Sequence, residues 1–251
     1  MHPIFFKGVH DMVTLPQSAM ILSAGLGLRM RPLTETCPKP LITVGGKALL
    51  AHNLDLVKKA GIKTIVVNIH HLGEQIRDFL ETNAYRDVII SDETERLLDS
   101  GGGVKKALPT LGTDPFFVLN ADSFFIDGPS SNLHRLAKAF RPKDMDILLL
   151  VAGGLQITGY DGLGDFTMNA EGVLTRRPER IGAPFVYTGV ALMKPELFLQ
   201  TPDDAFSLNL LFDRAIAAGR LYGLRLDGEW LHVGTIAAIA DADQRLTRGL
   251  T

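Results

Sequence analysis

The chain has 251 residues, of which 46% are hydrophobic and 22% charged, which is ordinary for a soluble globular protein and enough for one domain with a sizeable core. The formal net charge of −2 gives no reason to expect binding to nucleic acid or to an anionic membrane. The single cysteine, Cys37, excludes an internal disulfide and fits the cytoplasm, and the longest apolar run, 147–152, is too short to cross a bilayer.

Residues 1–18 precede the first predicted strand. Their apolar stretch at 4–6 is too short for the core of a signal peptide, and no convincing cleavage site follows it. We therefore predict a poorly ordered extension over 1–18 and one domain over 19–251.

The most informative stretch of the sequence is 20–41. An apolar run typical of a buried strand leads into a glycine-rich turn. Arg29, Arg31 and Lys39 follow, between prolines that exclude a regular helix. Backbone amides and cations together suit a polyphosphate, so we expect the turn to bind phosphate. The residues of the turn are Ala24, Gly25, Leu26 and Gly27.

Two other glycine-loop motifs do not match this stretch. The dinucleotide-binding fingerprint requires a third glycine where this chain has Met30, and it requires a helix that opens at the loop. The P-loop pattern fails because Lys47 is followed by Ala48 rather than by Ser or Thr. For the two glycines alone, a structural turn with surface cations stays open as an alternative.

Predicted strands and helices alternate up to residue 152. The strands are apolar or β-branched runs at 19–22, 64–68, 87–91, 115–120 and 145–152. The helices lie at 47–60, 72–80, 104–108 and 131–140. This alternation predicts a Rossmann-like, doubly wound α/β fold with a mostly parallel central sheet and ligands at the carboxyl ends of its strands.

Beyond residue 152 the alternation breaks. Repeated glycines divide the chain into short pieces, which are more typical of hairpins than of strand–helix–strand units. Further strands are predicted at 185–190, 221–226 and 230–233, and further helices at 208–218 and 236–246.

A triple glycine and two histidines lie at the ends of predicted strands. Gly101, Gly102 and Gly103 predict a loop before the helix at 104–108, with free amides that can lie against a base or a phosphate. A flexible turn is the alternative. His70 and His71 are interpreted as structural, because no metal-ligand partner accompanies them.

Asp122 follows the most apolar central strand. An acid just beyond a buried strand costs desolvation energy unless it meets a cation, so a metal or a basic partner is implied. A hard oxygen ligand at a phosphate site suits Mg²⁺, which bridges substrate phosphates. The alternative role for Asp122 is a helix cap.

The combined pattern G-x-G-x-R-x-x-P-L-T-x-x-x-P-K-P resembles the signature of the sugar-1-phosphate nucleotidyltransferases. Within that family the muramate-type uridylyltransferases are the most similar, and mannose-1-phosphate guanylyltransferases nearly so. The resemblance implies an enzyme that transfers UMP from UTP to N-acetylmuramate 1-phosphate and releases pyrophosphate, as in peptidoglycan recycling. Alternatives are a mannose- or other hexose-1-phosphate nucleotidyltransferase and a nucleotide-sugar sensor without turnover. We expect a monomer or a small homo-oligomer.

The resemblance also implies roles for individual residues. The first half, about 19–152, would bind the nucleotide, and the inserted hairpin region in the second half, about 153–251, the sugar. Arg29 would be catalytic at the pyrophosphate and Lys39 at the α-phosphate, while Asp122 would bind Mg²⁺. The expected nucleotide-binding residues are Ala24, Gly25, Leu26, Gly27, Lys39, Gly101 and Gly102. The expected sugar-binding residues are Asn120, Asp165, Arg176, Tyr187, Thr188 and Gly189.

Two positions depart from the family pattern. Arg176 and Arg177 stand where many members have Glu-Lys, so we expect this arginine pair, and Arg176 in particular, to bind the carboxylate of muramate instead. A solvated surface pair is the alternative. His232 replaces a second metal-binding aspartate, and imidazole is a softer ligand than carboxylate. Either His232 binds the metal, with Mn²⁺ as a candidate, or Asp122, phosphates and water complete the shell.

Overall fold

The computed structural model describes residues 15–83 and 85–248, so most of the extension predicted at 1–18 lies outside the described residues. Its last four residues are part of the folded domain. The carbonyl oxygen of Gln17 accepts hydrogen bonds from the amides of Lys63 and Thr64, each at 3.0 Å. Ser18 then begins the first strand, one residue earlier than predicted.

Strands and helices largely alternate in the described residues up to 152, as predicted, and beyond that point short strands follow one another. The strands are β1 (Ser18–Leu22), β2 (Thr43–Val44), β3 (Lys47–Ala48), β4 (Thr64–Ile69), β5 (Ile89–Asp92), β6 (Phe116–Asn120), β7 (Ser123–Asp127), β8 (Ile147–Ala152), β9 (Ile157–Thr158), β10 (Phe166–Met168), β11 (Leu174–Arg176), β12 (Val186–Met193), β13 (Leu221–Arg225) and β14 (Gly228–His232). The α-helices are α1 (Leu49–Lys59), α2 (Gly73–Thr82), α3 (Asp99–Leu111), α4 (Asn132–Ala139), α5 (Asn209–Ala217) and α6 (Ile236–Arg248). The proline-rich part of 20–41 forms only short 3₁₀ turns.

The central sheet has seven strands in the order β13-β8-β12-β6-β1-β4-β5. All neighbouring pairs are parallel except the two that involve β12, which runs antiparallel to β6 and β8. The predicted mostly parallel sheet is therefore confirmed.

Helices cover both faces of this sheet. Along β1, Ala19 and Ile21 point into a core shared with α1, α2 and α4, whereas Met20 points into a core shared with α3 and α5. Side chains of a strand alternate between its two faces, so a run that is apolar at every position must be buried on both. The doubly wound arrangement is confirmed.

A smaller sheet, in the order β7-β14-β9, supports the glycine-rich stretch. Met30 and Ile42 pack into a third core together with Phe124 of β7, Leu231 of β14 and Ala242 of α6. The predicted hairpin region is also present, since β10 and β11 pair antiparallel. None of the helices in the described part of the chain is long and apolar enough to span a membrane.

The topology brings three chain segments to one edge of the central sheet. β1 lies between β4 and β6 and is parallel to both. Their carboxyl ends therefore meet at the same edge, which is where open α/β sheets bind ligands. Residues that follow β1, end β4 or follow β6 are neighbours there, among them Ser23, Asn68 and Asp122.

Candidate active site

Two clefts meet at this edge. The first cleft, of about 680 Å³, has walls that include Gly25, Gly27, Lys39, Asn68 and Ser100. The second cleft, of about 470 Å³, has walls that include Tyr160, Asp165, Tyr187, Trp230 and His232. Arg29, Asn120 and Asp122 line both clefts. Two ligands bound in the two clefts would therefore meet beside these three side chains.

The glycine-rich turn is held in one conformation by Thr34. Gly27 has a φ of +64°, and a Cβ added there would lie 2.8 Å from Cγ2 of Thr34. The buried Thr34 hydroxyl donates to the Gly27 carbonyl oxygen at 2.9 Å. At Gly25, in contrast, an added Cβ would meet nothing within 4 Å. The open space in front of Gly25 is part of the first cleft, so the backbone there is accessible to a ligand.

Lys39 and Asp122 form an ion pair at the junction of the clefts. Nζ of Lys39 lies 2.9 Å from Oδ2 of Asp122, and the lysine is only 9% exposed. Burial alone would raise the pKa of Asp122, but the charge and hydrogen bond of Lys39, with smaller effects from His232 and Arg29, hold it below its ordinary value. Asp122 is therefore an anion at neutral pH, and it keeps the ammonium group of Lys39 at the junction.

Arg29 brings a second cation to the junction. Its side chain is exposed, and within the described residues it forms no hydrogen bond or ion pair. Because a guanidinium is always protonated, Arg29 offers a permanent charge and several free donors to an anion in either cleft.

The triple glycine is not the loop that the sequence predicts. Helix α3 begins at Asp99 and includes all three glycines. The amides of Gly101 and Gly102 both donate to the carbonyl oxygen of Phe206, at 2.8 and 3.1 Å. The prediction of free amides is therefore wrong, and the first cleft is lined instead by Asp99 and Ser100.

Close packing explains these glycines. A Cβ at Gly101 would overlap the ring of Phe206, and one at Gly102 would lie 3.0 Å from the carbonyl oxygen of Asp204. A Cβ at Gly103 would lie 2.6 Å from Oε1 of Glu93. Helix α3 can approach its neighbours only because these positions lack side chains.

Glu93 belongs to a buried network that joins the segments of the first cleft. The Ser23 amide donates to Oδ1 of Asn68 at 2.7 Å, and Nδ2 of Asn68 donates to Oε1 of Glu93 at 2.8 Å. The Leu98 amide donates to Oε2 of Glu93 at 3.1 Å. Burial raises the pKa of Glu93 although these hydrogen bonds favour its ionised form. The network fixes the turn after β1 relative to the start of α3.

Gly103→Ala is expected to destabilise the protein by about 1–2 kcal/mol. The helix gains about 1 kcal/mol from alanine, but the new methyl group displaces Glu93 and Asn68 from their buried hydrogen bonds, which costs more. Urea unfolding measures the difference. Gly182→Ala is the control, because its Cβ would have no neighbour closer than 3.6 Å. A Gly103→Ala protein as stable as the wild type would show that the network can shift without cost.

The structure brings five of the six expected sugar-binding residues to the second cleft. The exception is Thr188, which is 1% exposed and whose hydroxyl donates to the Leu150 carbonyl oxygen at 2.9 Å. The Thr188 side chain is therefore not available to a ligand, because its strand turns it into the core. Asp165 accepts a hydrogen bond from the Tyr187 amide at 2.8 Å, which fixes its carboxylate at the wall of the cleft.

Comparison with known proteins assigns the chain to a family. Residues 19–199 match the family described as the MobA-like NTP transferase domain. The chain belongs to this family. It is 40% identical to the N-acetylmuramate alpha-1-phosphate uridylyltransferase of Caulobacter vibrioides. The match extends over 235 residues and covers 92% of this chain and 97% of that relative. It is 35% identical over 228 residues to the enzyme of the same name from Neisseria meningitidis serogroup B, with 89% and 96% covered.

Solved structures share the fold of this MobA-like NTP transferase. The crystal structure of HddC from Yersinia pseudotuberculosis complexed with GMP-PN superimposes with a TM-score of 0.75 at 18% identity, over 92% of this chain and 99% of that one. The predicted family and its Rossmann-like fold are thus confirmed, and the chain is a nucleotidyltransferase. NTP transferases of this family generally use a divalent metal ion.

His232 and Asp122 could hold such an ion in this NTP transferase. Nδ1 of His232 lies 3.3 Å from the carbonyl oxygen of Gly159, and because a carbonyl only accepts, Nδ1 carries the hydrogen. Nε2 has no hydrogen-bond partner among the described residues. Burial lowers the pKa of His232, so the ring is neutral at pH 7 and can act as a ligand. Within the described residues no three His, Cys, Asp or Glu side chains cluster as a complete metal site. The pair fits a cation that takes its other ligands from phosphates and water.

The sequence gives little indication of the aromatic wall of the second cleft. The ring centroids of Tyr160 and Trp230 are 5.7 Å apart, and those of Trp230 and His232 are 5.2 Å apart. Nε1 of Trp230 and the hydroxyl of Tyr187 are buried without a hydrogen-bond partner in the described residues. Because Trp230 lies two residues before His232 on β14, strand alternation could have placed it on the same face. No pattern indicates Tyr160.

Two further groups of predicted residues have partners within the protein. Nδ1 of His70 lies 2.7 Å from the Glu93 carbonyl oxygen, and Nε2 of His71 lies 2.8 Å from that of Thr34, so each ring has the partner that the structural interpretation expects. Arg176 lines the second cleft, but its Nε donates to Asp213 at 2.5 Å and its Nη2 to Asn209 at 2.8 Å. Leu26, which was expected to bind the nucleotide, does not line the first cleft.

Proposed function

We propose that this nucleotidyltransferase transfers UMP from UTP to N-acetylmuramate 1-phosphate and releases pyrophosphate. The observation that carries the proposal is the meeting of two clefts at Arg29, Asn120 and Asp122, where the ammonium group of Lys39 is paired with Asp122. The choice of base and sugar is supported by the 40% identity to the Caulobacter vibrioides enzyme, which extends over 97% of its length.

The triphosphate is proposed to bind in the first cleft. Ala24, Gly25 and Gly27 would approach its phosphates, and Asp99 and Ser100 at the start of α3 would contact the base. Gly101 and Gly102 would shape the base site through close packing, because their amides are bonded to Phe206. The sugar phosphate would occupy the second cleft, with Asn120 at its junction with the first cleft and Asp165, Tyr187 and Gly189 along its wall.

The chemistry follows from the charges of the two substrates. An oxygen of the sugar phosphate attacks the α-phosphorus of the triphosphate, and the bond from that phosphorus to the departing pyrophosphate breaks. Both reactants are anions, so aligned cations are the main requirement. Lys39 would hold the α-phosphate and the incoming phosphate, and Arg29 would stabilise the pyrophosphate. The attacking phosphate is already ionised, so no general base is needed.

The divalent ion is proposed to be Mg²⁺, held by Asp122 with His232 as a second ligand. When bound, it would neutralise phosphate charge during the transfer. Mn²⁺ is the alternative, because imidazole suits it better than it suits Mg²⁺. A cytoplasmic location and a monomeric or small homo-oligomeric state stay predictions.

His232→Asp is expected to keep activity and to move the metal preference from Mn²⁺ towards Mg²⁺. A carboxylate is a harder ligand than imidazole and favours the harder ion. Activation curves for both metals measure the preference, and titration of Mn²⁺ by electron paramagnetic resonance measures binding without turnover. If neither the activation curves nor Mn²⁺ affinity changes, His232 does not coordinate the metal.

A mannose-1-phosphate guanylyltransferase is the second candidate. The family includes such enzymes, but the chain covers only 61% of the length of the relative from Oryza sativa subsp. japonica that is named probable mannose-1-phosphate guanylyltransferase 1. A sensor without turnover is disfavoured because Arg29, Lys39 and Asp122 are all present at the junction.

Pyrophosphate release distinguishes these functions. The purified protein is incubated with Mg²⁺, each of the four nucleoside triphosphates and a panel of sugar 1-phosphates. We expect the highest kcat/KM for UTP with N-acetylmuramate 1-phosphate. A preference for GTP with mannose 1-phosphate would replace the proposal, and nucleotide binding without pyrophosphate release from any pair would support a sensor.

A further inference from the structure

A third cleft, of about 420 Å³, adjoins the second. It is lined by Asp165, Arg176, Arg177, Glu179 and Arg180. Asp165 and Arg176 also line the second cleft, so a substituent on a ligand there can reach into the third cleft. Three arginines around one small opening suggest an anionic substituent.

The three arginines differ in how far they are already neutralised. Arg176 is paired with Asp213 and hydrogen-bonded to Asn209. Arg177 is half-buried, and among the described residues its guanidinium donates only to the carbonyl oxygens of Pro178 and Ile181, at 3.4 and 3.5 Å. Neither Arg177 nor Arg180 has an ion pair within residues 15–83 and 85–248.

The acids of the third cleft do not occupy these guanidiniums. Asp165 is fixed by the Tyr187 amide at 2.8 Å, and Glu179 forms no ion pair within the described chain. Arg180 is also held at a φ of +64°, a left-handed conformation that is uncommon for a residue with a Cβ. The two unpaired guanidiniums can therefore accept a carboxylate from outside the protein.

We propose that the third cleft binds the carboxylate of the sugar substrate through Arg177 and Arg180. The inference rests on the proposed function, because N-acetylmuramate differs from N-acetylglucosamine by a lactyl ether that ends in a carboxylate. A guanidinium can hold a carboxylate with two parallel hydrogen bonds, which gives direction as well as affinity. Arg176, predicted from the sequence for this role, instead forms the wall between the second and third clefts.

The test compares two sugars in single variants. For Arg177→Gln and for Arg180→Gln, kcat/KM with UTP is measured for N-acetylmuramate 1-phosphate and N-acetylglucosamine 1-phosphate. We expect kcat/KM to fall about 10- to 100-fold for the muramate substrate, which corresponds to the loss of a hydrogen bond to a charged group. For the glucosamine substrate it should fall less than about threefold. Turnover of the glucosamine substrate shows that each variant is folded. Arg86→Gln, beside β5, is the control and should change neither value.

A substrate analogue tests the contact without any mutation. When the lactyl carboxylate of N-acetylmuramate 1-phosphate is converted to its amide, kcat/KM of the wild type should fall by the same factor as it does in the variants on the unmodified substrate. Arg177→Gln should then lose little more, because the interaction is already absent. Equal losses on both sugars in the variants, or full activity of the wild type on the amide, would overturn this inference alone. A wild type that prefers a sugar without a carboxylate would overturn the proposed function and this inference together.

Discussion

Lys39→Ala is expected to lower turnover by about a hundredfold or more, on the order of 3 kcal/mol, while the fold remains intact. Lys39 is 9% exposed and lies 2.9 Å from Asp122 at the junction of the two clefts, where the two phosphates are proposed to meet. Few water molecules can replace its charge in so buried a place. Its loss therefore removes stabilisation of the charge that develops during transfer, and it also leaves Asp122 without its partner.

Steady-state pyrophosphate release and triphosphate binding measure this effect. Lys47→Ala is the matched control, because Lys47 also pairs with an aspartate, Asp55, but its side chain is 36% exposed and lies away from the clefts. The control should change activity by less than about twofold, since exposed ion pairs contribute little. Near-normal turnover of Lys39→Ala, with normal thermal unfolding, would remove Lys39 from the mechanism.

The fold could be predicted because its signals are local. Apolar runs such as β1 and β8 are buried on both faces, and their length and spacing indicate parallel strands that alternate with helices. The strand β7 was not predicted. It begins only three residues after β6 ends, and it is stabilised by β14, which lies about a hundred residues later in the chain. Pairing over such a distance leaves no periodic signal next to the strand itself.

The site was predictable where a motif fixes the backbone. Lys39 and Asp122 are 83 residues apart in sequence, but Asp122 follows β6 and Lys39 lies in the segment between β1, the parallel neighbour of β6, and β2, so the topology brings both segments to the same edge of the sheet. The triple glycine was misjudged, and the ion pair of Arg176 was not foreseen, because distant residues decide both. Phe206 accepts the hydrogen bonds of two glycine amides, and Asp213 neutralises the arginine. Neither contact can be read from the sequence around the glycines or around the arginine.

Asp122→Asn is expected to have the largest effect on activity, a loss of at least about a thousandfold at ordinary Mg²⁺ concentrations, on the order of 4 kcal/mol. The amide has nearly the same size as the carboxylate, so the packing at the end of β6 should be retained. It carries no charge, however, and so it is a much weaker ligand for a hard divalent ion. It also ceases to be the charged partner of Lys39 and thus loosens the cation that is proposed to hold the α-phosphate.

Pyrophosphate release measured over a wide range of Mg²⁺ and Mn²⁺ separates the two consequences. If Asp122 is a metal ligand, high metal concentration should restore part of the activity of Asp122→Asn, because weak binding is overcome by mass action. Asp55→Asn, which removes the charge from the exposed pair with Lys47, is the control and should remain close to wild type at every concentration. Activity of Asp122→Asn within tenfold of the wild type at ordinary Mg²⁺ would show that Asp122 does not bind the metal, and would leave it only the role of positioning Lys39.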